Sequence, residues 1–158
     1  MLTRGATFED HQVGAKYTTL ARTVSQTDIV NFVNLCGFIE PLFIDMEYVA
    51  RESVFGRRAA PGALTFALSE GLIIQLGLIH GTGMAFLGCE LRVVAPVFEG
   101  DTIHVEVEVA GKRETKKPDR GVVTYRHRVL NQRDEPVLEG EVQRMIRRAP
   151  APSGPAAA

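Results

Sequence analysis

Little in this chain of 158 residues would staple or anchor it. It has only two cysteines, Cys36 and Cys89. Two thiols cannot build a disulfide framework or a four-ligand zinc site by themselves. Both are therefore expected as small apolar core residues. No charge of one sign prevails, because 18 Lys and Arg face 19 Asp and Glu for a net charge of −1. A nucleic-acid binder needs a basic excess to replace phosphate counterions, and a polybasic membrane anchor needs one too. The N-terminus, MLTRGATFED, lacks the basic region and apolar run of a secretory signal. The one apolar stretch of near-membrane length, residues 62–79, carries Glu70, Gln75 and three glycines, with no basic flank at its C-terminal end. A soluble cytoplasmic protein is expected.

The chain has the length of one domain. Such a chain buries roughly 68–70% of the surface its unfolded form exposes, enough for a core without staples. The last eleven residues, RAPAPSGPAAA, cannot offset their ordering entropy. The expected division is a folded domain over residues 1–147 and a disordered Pro/Ala-rich tail over 148–158.

Residues 17–24 read as a short Thr-rich strand. Ser25 followed by Asp28 signals a helix start. Ile29, Phe32, Val33 and Cys36 then fall on one helical face, and Gly37 ends it. Residues 37–44 form an apolar loop, after which Asp45 caps a second short helix to about Glu52. Residues 62–79 are apolar nearly all round, which predicts a helix buried on every side. The period then changes to two. Leu87, Cys89, Leu91 and Val93 alternate, as do Ile103, Val105, Val107 and Val109. So do Val123, Tyr125, His127 and Val129, while Leu138, Val142 and Ile146 line one face with Gly140 and Arg144 between them. Turn signals lie at residues 118–121 and 131–135. Antiparallel strands with one wet face have this pattern. The expected fold is α+β: a single hotdog domain, an antiparallel sheet wrapped around a central buried helix.

Four segments carry a family resemblance. They are FEDHQVG at 8–14, SQTDI at 25–29 followed by Asn31-Phe32, APVFEGDT at 95–102, and Asn131-Gln132 with Pro136-Val137-Leu138. In this order and spacing the chain resembles the MaoC-like acyl dehydratases, the (R)-specific enoyl-CoA hydratase branch of hotdog proteins. The resemblance implies a hydratase loop of the form Gly-Asp-x-Asn-Pro-x-His-x-Asp. Its Asp and His activate water and move a proton at the acyl α-carbon. Here residues 37–45 read GFIEPLFID. Gly37, Pro41 and Asp45 match. Phe38 stands where the Asp would be, Phe43 where the His would be, and Glu40 where the Asn would be. Phenylalanine cannot transfer a proton. The family's Ala-His-Gly at the start of the central helix corresponds to Ala60-Pro61-Gly62. The Gly62 N–H, at the positive end of that helix, would polarise a thioester carbonyl.

Glu40 is the only ionisable group inside the apolar loop. It is either a base in a pocket or a solvated surface acid. Glu70 sits eight residues after Gly62 in the central helix, where a lone carboxylate is costly. Acyl-CoA thioesterases, another hotdog group, carry a Gly and a Glu at that spacing; otherwise Glu70 surfaces at a dimer edge or pairs with an arginine such as Arg92. Arg57 and Arg58 are either a surface pair or a contact to CoA phosphates. The basic run Lys112, Arg113, Lys116 and Lys117 is a solvated face or a phosphate landing site. His11, His80, His104 and His127 lack metal-ligand spacing and are expected to be structural or solvated.

Three functions remain. The first is an acyl-thioester (enoyl-CoA) hydratase or dehydratase with a rebuilt site. Glu40 would be its base, Gly62 would hold the carbonyl, and Phe38, Phe43, Pro61, Arg57 and Arg58 would bind substrate. The second is a non-catalytic acyl-CoA-binding subunit paired with a catalytic partner. The third is a thioesterase using Glu70. The substrate would be an acyl-CoA or acyl-carrier-protein thioester, with no further cofactor and no metal. A homodimer, or a heterodimer with another hotdog chain, is expected, with the acyl site at its seam.

Overall fold

A computed structural model describes residues 4–150. In chain order the elements are β1 (Lys16–Thr18), β2 (Arg22–Thr23), α1 (Gln26–Cys36), α2 (Pro41–Ile44), α3 (Met46–Glu52), α4 (Gly62–Gln75), β3 (Gly83–Val93), β4 (Thr102–Glu114), β5 (Arg120–Leu130) and β6 (Pro136–Arg147). The strands form one antiparallel sheet in the order β1-β4-β5-β6-β3, with β2 added beside β4. Helix α4 packs its Leu64, Leu72 and Ile73 into the same core as Val105, Val107 and Val123 of the sheet. This is the hotdog arrangement that the pattern of periods predicts.

The local signals act as expected. The Ser25 hydroxyl accepts from the Asp28 N–H, and the Asp28 carboxylate accepts from the Ser25 N–H, a reciprocal capping box. Gly37 ends α1 in the left-handed region at φ 69°, a conformation that favours glycine. The Asp45 carboxylate accepts from the Tyr48 N–H and starts α3. Period-two alternation puts Ile103, Val105, Val107 and Val109 of β4 inside, each at most 1% exposed.

Several expectations change. The strand expected over residues 17–24 is two short pieces, β1 and β2, and the loop 37–44 contains the single turn α2. Helix α4 stops at Gln75 and is not buried all round: Ala63, Ala67, Gly71 and Ile74 are exposed. Among the described residues one sheet face and the neighbouring loops cover it, so its uniform hydrophobicity includes a face that these residues leave open. The same holds for β3. Leu87, Cys89 and Val93 were expected inside but are exposed, because β3 is the sheet edge, with irregularities between Gly83 and Ala85 and between Phe86 and Gly88. Cys36 is also exposed, since it is the last residue of α1 and lies beyond the buried pair Ile29 and Val33. Neither cysteine is a core residue. Of the residues expected as a tail, Arg148 pairs with Glu9 at 2.6 Å and the Ala149 N–H donates to the same carboxylate. The rest of that tail, residues 151–158, lies outside the described residues. Among the described residues no helix is long and apolar enough to cross a membrane.

Candidate functional site

The turn α2 carries the loop residues. Pro41 at its first position supplies a preset φ where no amide donor is needed. The Glu40 N–H donates to the Phe38 carbonyl, and the Glu40 carbonyl accepts from the Phe43 N–H. This tight backbone turns the two phenylalanines toward each other. Phe38 lies edge-on to Phe32 of α1 with ring centres 5.5 Å apart, and 6.4 Å from Phe43. Phe43 packs against the core, while Phe38 stays 38% exposed. Glu40 is exposed and makes no side-chain capping bond. The surroundings therefore do not desolvate it.

Pro61 is buried and caps α4. Gly62 opens the helix against β3: a Cβ there would lie 2.9 Å from a Val93 methyl carbon. Amides of a helix's first turn have no intrahelical partner, so this end offers donors and partial positive charge. The two arginines before it differ. Arg57 stacks over the Phe98 ring at 3.8 Å. Arg58 is 8% exposed; it lies 3.7 Å from Glu99, and its Nη1 donates to the Phe43 carbonyl at 3.5 Å. Arg58 thus ties the phenylalanine loop to the segment before α4. Its buried Nε has no hydrogen-bond partner among the described residues.

A second cluster lies deeper along α4. Glu70 projects toward the sheet and pairs with Arg144 of β6, not with Arg92. Its other oxygen lies 3.7 Å from Nδ1 of His127 on β5. The Arg144 side chain is 8% exposed, the Glu70 side chain 18% and the His127 side chain 1%. Among the described residues neither ring nitrogen of His127 has a hydrogen-bond partner, and Glu70 Oε1 has none. Burial, then the Arg144 charge, drives the His127 pKa down to about 4. The imidazole is therefore neutral near pH 7. The next inward side chain on β5, Tyr125, bonds its hydroxyl to His11 Nε2 at 2.7 Å. Burial raises the phenol pKa, and burial also lowers that of His11.

The description "MaoC like domain" fits residues 9–131 of the chain. The chain belongs to the MaoC-like domain family. Among curated proteins it is 33% identical to a 3-hydroxybutyryl-CoA dehydratase of Methylorubrum extorquens, over 85% of this chain and 80% of that one. It is 31% identical to an (R)-specific enoyl-CoA hydratase of Aeromonas caviae, over 82% and 91%. Protein MaoC of Klebsiella aerogenes is 36% identical over 72% of this chain, but the chain spans only 32% of that protein's length. Among solved structures, a monoamine oxidase regulatory protein from Archaeoglobus fulgius superimposes with a TM-score of 0.87 at 36% identity, covering 95% of this chain and 99% of that one. A double-hotdog protein from Mycobacterium tuberculosis matches with a TM-score of 0.81 over 98% of this chain and 52% of that one, and at 21% identity it supports the fold alone.

In this MaoC-like chain Phe38 and Phe43 come together and Arg58 reaches the Phe43 carbonyl, while Glu40 is exposed. Glu70 belongs to a different neighbourhood, held by Arg144. The basic run at 112–117 is not uniformly solvated. Lys112 donates to the Phe8 and His11 carbonyls at 2.6 and 2.8 Å and stacks over the Phe8 ring, so it clamps the N-terminal segment. Sequence reasoning missed Arg144 and His127 as a pair with Glu70. The signal was present: both sit at inward positions of alternating strands, where a charged or titratable side chain is out of place.

Proposed function

We propose that this chain binds acyl-CoA thioesters, with the carbonyl at the Gly62 N–H and the acyl part against Phe38 and Phe43. On this reading a homodimer binds without hydrating, and hydration requires a second hotdog chain that brings the acid–base pair. One observation carries the reading. At the two positions where the family resemblance places a proton-transferring Asp and His, two phenylalanine rings pack together, and the neighbouring acid is solvated. An aromatic wall suits an acyl chain but moves no proton.

The surfaces that a dimer would cover support the partner half of the proposal. Strand β3 is an eleven-residue edge, and Phe86, Leu87, Val93 and Val94 beside the open face of α4 are all exposed. Exposed apolar edges of this length serve as pairing surfaces. Two β3 strands run antiparallel about Leu91 would set Glu90 of one chain opposite Arg92 of the other, twice, a charge-matched register.

The names of the relatives favour a second reading, a hydratase or dehydratase working through Glu40. Crotonyl-CoA hydration, followed by loss of the enone absorbance, separates the two. The expected outcome is saturable crotonyl-CoA binding without turnover by the purified chain. Turnover that disappears in Glu40→Gln would replace the proposal with the second reading. The thioesterase reading predicts thiol release instead. Arg144 holds one Glu70 oxygen and the other stays buried near His127, so thiol release that disappears in Glu70→Gln would favour that route.

A further inference from the structure

The Glu70–Arg144–His127 cluster contains more polar capacity than it uses. One Glu70 oxygen and both His127 nitrogens are buried and have no partner among the described residues. A buried polar atom without a partner carries a desolvation penalty, which a resident ligand or a rearrangement removes. The rearrangement is short, since Glu70 Oε1 and His127 Nδ1 are 3.7 Å apart. Arg144 also meets solvent with the 8% of its side chain that is exposed. It lines a cleft of about 370 Å³ walled by Ile74, Ile79, Met84 and Phe86, with His80 at its edge. Phe86 lies over the guanidinium at 5.5 Å. An apolar cleft with one fixed guanidinium matches a carboxylate on an aliphatic chain, because Arg pairs with that group in a planar, bidentate way.

We propose that this cleft binds an aliphatic carboxylate on Arg144 and takes up one proton as it does so. The incoming carboxylate draws Arg144 away from Glu70. Glu70 then turns to His127, which accepts a proton from solvent at one ring nitrogen and donates the Nδ1 hydrogen bond to the carboxylate. Before binding, the cluster holds one Arg cation and one Glu anion. Afterwards it holds two cations, Arg144 and His127, and two anions, Glu70 and the ligand. The buried charge stays at zero, which is what a low-dielectric site requires. The groups facing His127 are Glu70 from α4, Arg144 from β6 and Tyr125 beside it on β5, with ring centres 6.5 Å apart. Tyr125 is bound to His11 and stays neutral, so Glu70 is the acceptor available to the protonated ring.

The carboxylate has two possible sources, a free aliphatic acid or the far end of an acyl chain carried on CoA. The second rests on the acyl-CoA reading above; the first does not. Calorimetric titration of the full-length protein with hexanoate, glutaryl-CoA and butyryl-CoA, each in two buffers of different ionisation heat, counts the protons taken up. Hexanoate binding with one proton supports the proposal and names a free acid. Uptake of one proton with glutaryl-CoA but none with butyryl-CoA supports it and names the acyl end. In either case affinity rises about tenfold per pH unit as pH falls from 7 to 5. That slope should persist in His80→Gln and vanish in His127→Gln. The paired variant Glu70→Gln/Arg144→Met, which leaves no unpaired buried charge, should lose at least tenfold in affinity. Failure of both hexanoate and glutaryl-CoA to bind, or binding with no proton uptake by the wild-type protein, overturns the proposal. Neither of those results bears on whether butyryl-CoA binds at Gly62.

Discussion

Two clusters flank the central helix, and they invert what their surroundings suggest. Near the start of α4, where the family resemblance places acid–base chemistry, the side chains are Phe32, Phe38 and Phe43, and the one acid faces water. Two turns further on, in the apolar interior between helix and sheet, the chain buries a carboxylate, a guanidinium and an imidazole. The first cluster is half-open and apolar; the second is charged and largely buried, with only the edge of Arg144 on a cleft. Their tolerance of substitution should differ accordingly. An aromatic group at a partly exposed site loses only packing when it is replaced. A buried ion pair that loses one member leaves the other charge uncompensated.

The largest effect should come from breaking the pair. Glu70→Leu leaves Arg144 buried without an anion and should cost about 3–5 kcal/mol in denaturant unfolding. Glu70→Leu/Arg144→Met should recover most of that loss, because a matched apolar pair of similar volume has no charge to desolvate. If Glu70→Leu alone costs under 1 kcal/mol, the guanidinium reaches solvent and the contrast between the clusters collapses.

The next effect is a pH dependence. His127 is held neutral in the fold with a pKa near 4, against 6.5 for an ordinary histidine. Between those values the unfolded chain binds a proton that the folded chain refuses. Stability is therefore fully present above pH 6.5 and falls as pH drops toward 4, by roughly 3 kcal/mol for this group. His127→Gln should flatten that part of the profile, and the difference between the wild-type and variant curves from pH 7 to 4 isolates it. Parallel curves would mean that folding leaves the His127 pKa unshifted, and a relative gain in stability on acidification would mean that the ring is protonated and paired with Glu70.

The fold was largely legible because its determinants are local. Ser25 with Asp28, Gly37, Asp45 and the alternating strands each act within a few residues of themselves. Coverage was not legible. The apolarity of α4 and of β3 is real, but whether this chain or another covers it depends on sheet order, and β3 reads the same at an edge as in the centre. The loop residues Phe38 and Phe43 were found because the family resemblance fixes their places within one nine-residue segment. The pairing of Glu70 with Arg144 joins residues 74 positions apart, and no local pattern selects Arg144 over Arg92. Strand parity was the one unused signal: Arg144 shares its strand face with Leu138, Val142 and Ile146, all at most 1% exposed, whereas Arg92 lies on the exposed side of an edge strand.

The smallest effect belongs to the aromatic cluster, and it tests the contrast from the other side. Phe38 is 38% exposed, so Phe38→Asp removes part of a ring's burial and its contacts with Phe32 and Phe43, worth about 1 kcal/mol. The new carboxylate would not be stranded, because the ring it replaces already reaches solvent. Phe43→His keeps a flat ring of similar shape, and its cost should be of the same size. The double variant should thus fold, with a loss smaller than that of Glu70→Leu alone, and it would place an Asp and a His where the family resemblance puts them. A loss above 3 kcal/mol for the double variant would show that the three phenylalanines form a structural plug. The loop would then be closed to an acyl chain, and the binding surface proposed here would have to lie elsewhere along α4.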